Sequence, residues 1–224
     1  MNSSTRASYR FGDHLPIRPI EPGSTVLVSG PALSGGEALA RSLVGDSIGT
    51  DESGLFISTN TSGEKLLDRC RQRHGSLAPS QLGVIDCSGQ EGGGSQYEVP
   101  IQYVSSQRDL TGISIQFTAL HDPLSTNAAD GRVRTGLISL SSMLMYVDLE
   151  TVFRFAQTLS VRISTTGGLG VFAIDPTAHE PQTVNTFSQI ADGRIEVREA
   201  DGGGSELRIR GLPDQPNGWQ SVSL

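Results

Sequence analysis

An α/β fold with a mostly parallel central sheet is what this chain predicts, and three observations predict it. Apolar, strand-like runs alternate with segments of helical period along most of the length. The first strand, Thr25-Val26-Leu27-Val28-Ser29, enters a glycine-bearing turn over 30–37, GPALSGGE, and leaves it as a helix over 38–43. Near the C-terminus the pattern changes, with charged and apolar residues alternating on both sides of Asp201-Gly202-Gly203-Gly204. That alternation is the mark of a β-hairpin with one buried and one wet face.

The elements follow in order. A polar, flexible segment is expected over 1–12, and Pro16, Pro19, Pro22 and Gly23 then stiffen the approach to the first strand. A second strand is expected over 55–59, followed by a helix over 64–74 with Leu66, Leu67 and Cys70 on one face. A third strand covers 82–86, and a glycine-rich loop covers 88–95. Leu110, Ile113, Phe117 and Leu120 have the spacing of one helical face within 109–120, and a turn cluster occupies 127–131. Strand 133–140 precedes the clearest helix, 149–163, whose Val152, Phe153, Ala156, Leu159 and Ile163 keep the 3.6-residue period. A strand over 168–176, a short helix over 183–190, the hairpin strands 194–198 and 206–210, and a last strand within 220–224 complete the list. No repeat or long linker interrupts the chain, so 13–224 reads as one domain, a size suited to 224 residues.

Composition narrows the function classes. The net charge of −7 argues against a broad nucleic-acid surface. Sixteen of the 17 cationic residues are arginine, with Lys65 the one lysine, a balance that suits either a salt-rich cytoplasm or a GC-rich genome. Two cysteines, Cys70 and Cys87, are too few for a disulfide framework or a zinc site and read as buried free thiols. No run approaches the ~20 apolar residues of a membrane span, and the N-terminus lacks the apolar core of a signal peptide, so a cytoplasmic protein with no membrane partner is expected.

The turn over 30–37 stands where a phosphate-binding loop belongs. Gly30 and Gly35 keep the G-x-x-x-x-G spacing in a strand–loop–helix context, with Ser34 between them. A working loop continues with Lys and then Ser or Thr, one for the terminal phosphates and one for magnesium. Here those places hold Gly36 and Glu37. Gly30, Ser34, Gly35, Gly36 and Glu37 are therefore the candidate nucleotide- or anion-binding residues, in a degenerate form. A tight strand-to-helix turn without a ligand is the plainer reading of the same residues.

Other chemistry-bearing residues are less pointed. His14, His74, His121 and His179 are scattered and read as surface or helix-end residues, although a metal site can be drawn from His121-Asp122 and His179-Glu180. Ser141-Ser142 lacks a G-x-S-x-G elbow and reads as a turn after a buried strand. Asp175-Pro176 ends a strand at the edge where α/β folds bind ligands, and a turn-forming Asp-Pro is its plainer reading. Arg69 and Arg73 share a helix face while Arg71 points elsewhere, which favours a solvated helix. Arg194, Arg198, Arg208 and Arg210 alternate along the hairpin, with Glu196 and Glu206 as expected cross-strand partners.

The order of elements resembles a RecA-type ATPase core of the KaiC-like family, over roughly Leu15 to Arg210. The resemblance is carried by 22–31 (PGSTVLVSGP), 56–62 (FISTNTS), 138–144 (ISLSSML) and 191–197 (ADGRIEV). It implies a three-layer RecA-like domain. It also implies a phosphate-neutralising Lys at Gly36, a magnesium ligand at Glu37, a pair of Glu at Asn60 and Thr61, and a metal-orienting Asp at Ile138 or Ser139. None of those groups is present, and Glu37 sets a negative charge where a triphosphate would lie. Two like charges ~4 Å apart cost about 1 kcal/mol in water and several times more in a drier site.

Phosphoryl transfer depends on positioning and charge stabilisation, so losing all these groups removes the machinery. The expectation is a non-catalytic, pseudo-ATPase RecA/KaiC-like domain with no cofactor, acting as a regulator or scaffold through a protein partner or as a homo-oligomer. An atypical ATPase with weak ATP or ADP binding is the first alternative. An accessory factor in DNA recombination or signalling is the second.

Overall fold

A computed structural model describes residues 7–89 and 97–224; the glycine-rich loop expected over 88–95 lies outside them from residue 90 on. The chain runs β1 (Thr25–Ser29), α1 (Gly36–Gly45), β2 (Ser53–Ser58), α2 (Gly63–His74), β3 (Leu82–Asp86), β4 (Ile101–Tyr103) and α3 (Leu110–Asn127). It continues with β5 (Val133–Ile138), α4 (Leu140–Leu144), α5 (Leu149–Thr166), β6 (Leu169–Ile174), α6 (Pro181–Ser188), β7 (Gly193–Glu199), β8 (Ser205–Arg210) and β9 (Gln220–Val222). One sheet holds every strand among the described residues, in the order β4-β3-β2-β5-β6-β1-β7-β8-β9. Pairings from β4 to β7 are parallel, and β7–β8 and β8–β9 are antiparallel.

Strand alternation divides the core into two layers. Val26 and Val28 of β1 and Phe56 of β2 face one side, where they pack with Leu39 and Leu43 of α1 and Leu66 and Leu67 of α2. Leu27, Leu55 and Ile57 face the other side and meet Phe117 of α3, Leu159 of α5 and Phe187 of α6. Helices on both faces make the central strands buried along their whole length, which is why β1, β2, β3 and β6 are apolar at most positions; β5 is the exception, with Arg134 and Thr135 buried in it. The fold is thus a three-layer, RecA-like α/β domain with a C-terminal antiparallel hairpin, as the sequence predicts.

Local differences have physical causes. The first-strand and third-strand bounds match the expectation, whereas the strand expected over 133–140 stops at Ile138. There Ser139 turns the chain and accepts a hydrogen bond from the Ser142 amide, capping the short helix α4. Ser141-Ser142 therefore lies on a helix and not in a turn. Helix α3 runs on to Asn127 with Pro123 inside it, and the expected turn cluster tightens into a 3-10 turn at Ala129–Gly131. The edge strand β4 has no counterpart in the sequence reading.

The segment 1–12, expected to be flexible, is fastened from Tyr9 onward. Tyr9 is fully buried, exchanges backbone hydrogen bonds with Ile20 and donates its hydroxyl to the Gly167 carbonyl at 2.9 Å. Arg134 of β5 completes the clasp. Its guanidinium donates to Glu52, to the Leu43 carbonyl and to the Arg10 carbonyl, and it lies against the Tyr9 and Phe11 rings.

Candidate functional site: a closed phosphate-loop frame

The connection after β1 passes to the α1 face of the sheet, and the connection after the neighbouring β6 passes to the α6 face. Chain paths that diverge in this way open a crevice at the strand ends, the usual ligand position of α/β sheets. A cavity of about 440 Å³ occupies it, lined by Gly30, Gly36, Glu37, Arg41, Ser139 and Asp175 among others.

The loop has the tight shape its glycines allow. Gly35 sits at φ +96°, and a Cβ there would lie 2.6 Å from the Leu224 side chain. The backbones of Gly30 and Gly36 pack on each other, and a Cβ on either would come within 3.1 Å of the other's Cα. Ser34 is buried and turned inward, its hydroxyl donating to the Pro31 carbonyl at 2.8 Å, while its own carbonyl accepts from Ser205 of β8. Leu33 adopts a left-handed φ of +66° and stands fully exposed at the loop tip. A β-branch-free but bulky residue in that region is strained, and strain of this kind persists only where the surroundings impose it.

The polar groups of the crevice bond to one another. Asn60 donates to the Glu37 carboxylate at 2.7 Å, and Arg41, one helical turn on, lies 3.7 Å from the same carboxylate. Asp175 accepts the Ala32 amide of the loop at 3.0 Å, and also the amide and hydroxyl of Thr177. Burial alone would raise the Asp175 carboxyl, but the hydrogen bonds from Thr177, Ala32 and Ala178 outweigh it and hold the group below the ordinary range. Ser141 donates to or accepts from His179 Nε2 at 2.9 Å and also receives the Asp175 amide at 3.0 Å. Beneath them the buried Thr59 hydroxyl reaches the Ile138 and Ser139 carbonyls and Ser142 Oγ.

All five sequence candidates thus meet at one crevice, although Ser34 is turned into the loop and does not line the cavity. Asp175 is more than a turn-former, because it ties the loop to the end of β6. Sequence reasoning missed the closure of Asn60 on Glu37, the contact of Ser141 with His179, and the arrival of Arg41 and Arg69 on the cavity wall. The spacing of Glu37 and Arg41, four apart on a helix, was the one local signal available.

The remaining candidates lie elsewhere. Burial pushes the Cys70 thiol up to about 11 and the Cys87 thiol up to about 12, so both are protonated and poor nucleophiles. His121 is neither superficial nor at a helix end; it is buried within α3 beside Phe117, and burial lowers its pKa. His121 and His179 do not come together: among the described residues no three His, Cys, Asp or Glu side chains are grouped to hold a metal. On the hairpin, Arg198 pairs with Glu206 at 2.8 Å, and Glu196 collects Arg208, Arg210 and Arg194, the salt-bridged face the alternation predicts. Trp219 adds what the pattern did not reveal, an indole over which Arg198 and Arg208 stack at 4.1 and 4.6 Å.

Residues 23–197 match the family described as "Family of unknown function (DUF7504)". No curated protein matches the chain. Because that match spans most of the 224 residues, the chain belongs to the DUF7504 family.

Proposed function

We propose that this chain is a pseudo-ATPase: a RecA/KaiC-like domain that binds partners and does not turn over nucleotide. One observation carries the reading. Glu37 and Asn60, at the places where the resemblance calls for a magnesium ligand and a water-polarising Glu, are hydrogen-bonded to each other beside the crevice. Asn60 has no basic function to offer a water, and Gly36 has no charge to offer a phosphate. The Ala32 amide of the loop is likewise engaged, by Asp175.

Its action is regulatory or structural, through a protein partner or a second copy of itself. The loop tip supports this: Leu33 is fully exposed at the cavity, and Met145 and Tyr146, beyond α4, are also large exposed apolar residues. Members of the RecA/KaiC-like family that the sequence resembles associate beside their nucleotide site, and Leu33 stands at the matching place here. We take its compartment to be the cytoplasm, which the two buried free cysteines fit. No helix among the described residues is long and apolar enough to cross a membrane.

A second reading, an atypical nucleotide-binding domain, is favoured by Arg41 and Arg69 on the cavity wall, cations in a site that lacks the usual lysine. Magnesium-dependent ATP hydrolysis by the purified chain distinguishes the two. Phosphate release equal to a buffer control is expected. Turnover that disappears on Glu37→Ala overturns the pseudo-ATPase reading. Light scattering of wild type and Leu33→Asp tests association, with a drop in mass expected for the variant if the chain assembles through its loop tip.

A further inference from the structure

Beside the crevice a second cavity, of about 450 Å³, runs between α1 and α2. Arg41 and Ser42 of α1 line one wall, and Arg69, Arg73 and His74 of α2 line the other. Arg69 and Arg73 are four residues apart, on one helix face, and Arg41 lines the same cavity as Arg69 from the facing helix, so their like charges share one space. Among the described residues no carboxylate lies within ion-pair distance of Arg69 or Arg73, and the partial partner of Arg41 is Glu37, already shared with Asn60.

This is not a shortage of acid. The chain carries 24 carboxylates against 17 cationic side chains, and on the hairpin Glu196 and Glu206 meet four arginines. A groove of convergent, unneutralised guanidinium groups in a protein of charge −7 focuses positive potential where the rest of the surface opposes it. Independently, the hydroxyl of Ser42 on the groove wall is buried and has no hydrogen-bond partner in the protein. A buried hydroxyl without a partner is a cost that a bound acceptor removes.

We propose that the α1–α2 groove is a binding site for a multiply charged phosphate group, held by Arg41, Arg69 and Arg73 with the Ser42 hydroxyl as an added donor. Guanidinium forks match phosphate oxygens two at a time, and three converging forks suit a chain of phosphates better than a single carboxylate. The site lies one helical turn beyond the degenerate loop and needs neither loop amides nor magnesium. It stands apart from the pseudo-ATPase reading, since it requires no turnover and its failure would leave that reading intact. A free polyphosphate and the phosphate tail of a nucleotide share this chemistry.

The test uses the full chain without magnesium, at fixed ionic strength, with sodium tripolyphosphate, ATP and hexaglutamate as probes in calorimetry and thermal unfolding. Tripolyphosphate is expected to bind one per chain and raise the unfolding temperature, with hexaglutamate much weaker. Arg73→Gln is decisive because Arg73 lines this groove and not the loop crevice. Loss of one charged contact is expected to weaken tripolyphosphate roughly ten-fold, and Arg69→Gln/Arg73→Gln together should abolish it. Both side chains are exposed, so the fold tolerates the changes, and Arg154→Gln on the far surface of α5 serves as the charge-matched control. ATP weakened by the same variants identifies a nucleotide tail as an accepted source; tripolyphosphate alone identifies free polyphosphate. No binding of tripolyphosphate at millimolar concentration, equal binding of hexaglutamate, or affinity unchanged in Arg73→Gln overturns the proposal.

Discussion

Around Glu52 and along the α1–α2 groove the chain gathers arginines, and it treats them in opposite ways. Glu52 is buried and takes Arg132 at 2.9 Å and Arg134 at 2.5 Å, with Arg134 itself only 1% exposed. Every side-chain nitrogen of Arg134 has an acceptor, two of them backbone carbonyls, as a buried charge requires. In the groove Arg69 and Arg73 are exposed and have no such acceptors, so water carries their solvation. The first cluster ties the N-terminal segment to the sheet and is part of the fold. The second has no carboxylate partner among the described residues, so its charges are left to solvent or to a ligand.

The contrast breaks most visibly at Glu52. Glu52→Ala leaves Arg134 buried without a counter-charge and should cost roughly 3–5 kcal/mol. Urea unfolding followed by circular dichroism measures it, and a loss below about 1 kcal/mol would mean that the clasp is held by the Tyr9 and Phe11 packing alone. Because the pair is buried, the loss should be nearly the same at low and at molar salt. Glu196→Ala provides the intermediate case. Three arginines, themselves more exposed, converge there on a carboxylate that is 17% exposed, so a loss of about 1 kcal/mol is expected at low salt, fading as salt is added. A salt-independent loss would show that the hairpin face behaves like the buried clasp instead.

What sequence can reveal follows the same division between local and distant partners. Strand β1, its loop and α1 were legible because strand, glycine spacing and helical period are all written within about twenty residues. The hairpin's charge partners were legible because antiparallel pairing brings Glu196 opposite Arg208 by simple alternation. Arg134 was not, since a lone charge in a strand reads as solvent-facing and Glu52 lies 82 residues away. Tyr9 was hidden for the same reason: it lies in a short, largely polar stretch and its hydroxyl's partner, Gly167, is 158 residues away. The edge strand β4 has three residues, Ile101–Tyr103, too few for their alternation to carry a signal. For the site, the helix face of Arg69 and Arg73 was readable from spacing, but the approach of Arg41 from α1 required both helices to be laid on the same side of the sheet.

The smallest expected effect separates the two regions most sharply, because its sign reverses. Removing a charge from the Glu52 clasp destabilises the chain, whereas Arg69→Gln relieves repulsion from Arg73 and Arg41. Like-charge pairs one helical turn apart cost about 0.2–0.5 kcal/mol, so Arg69→Gln should stabilise the unliganded protein by that order at low salt. High salt should remove the gain. Stability measured without phosphate, at two ionic strengths, is enough to decide it. A destabilised Arg69→Gln would mean that the side chain's aliphatic stem packs against the groove wall, and that the arginine is retained for structure. A stabilised one identifies a position where the folded state is better off without the charge the chain carries. Such a charge is retained at a small cost to folding, and a ligand that neutralises it is the physical reason the groove itself offers.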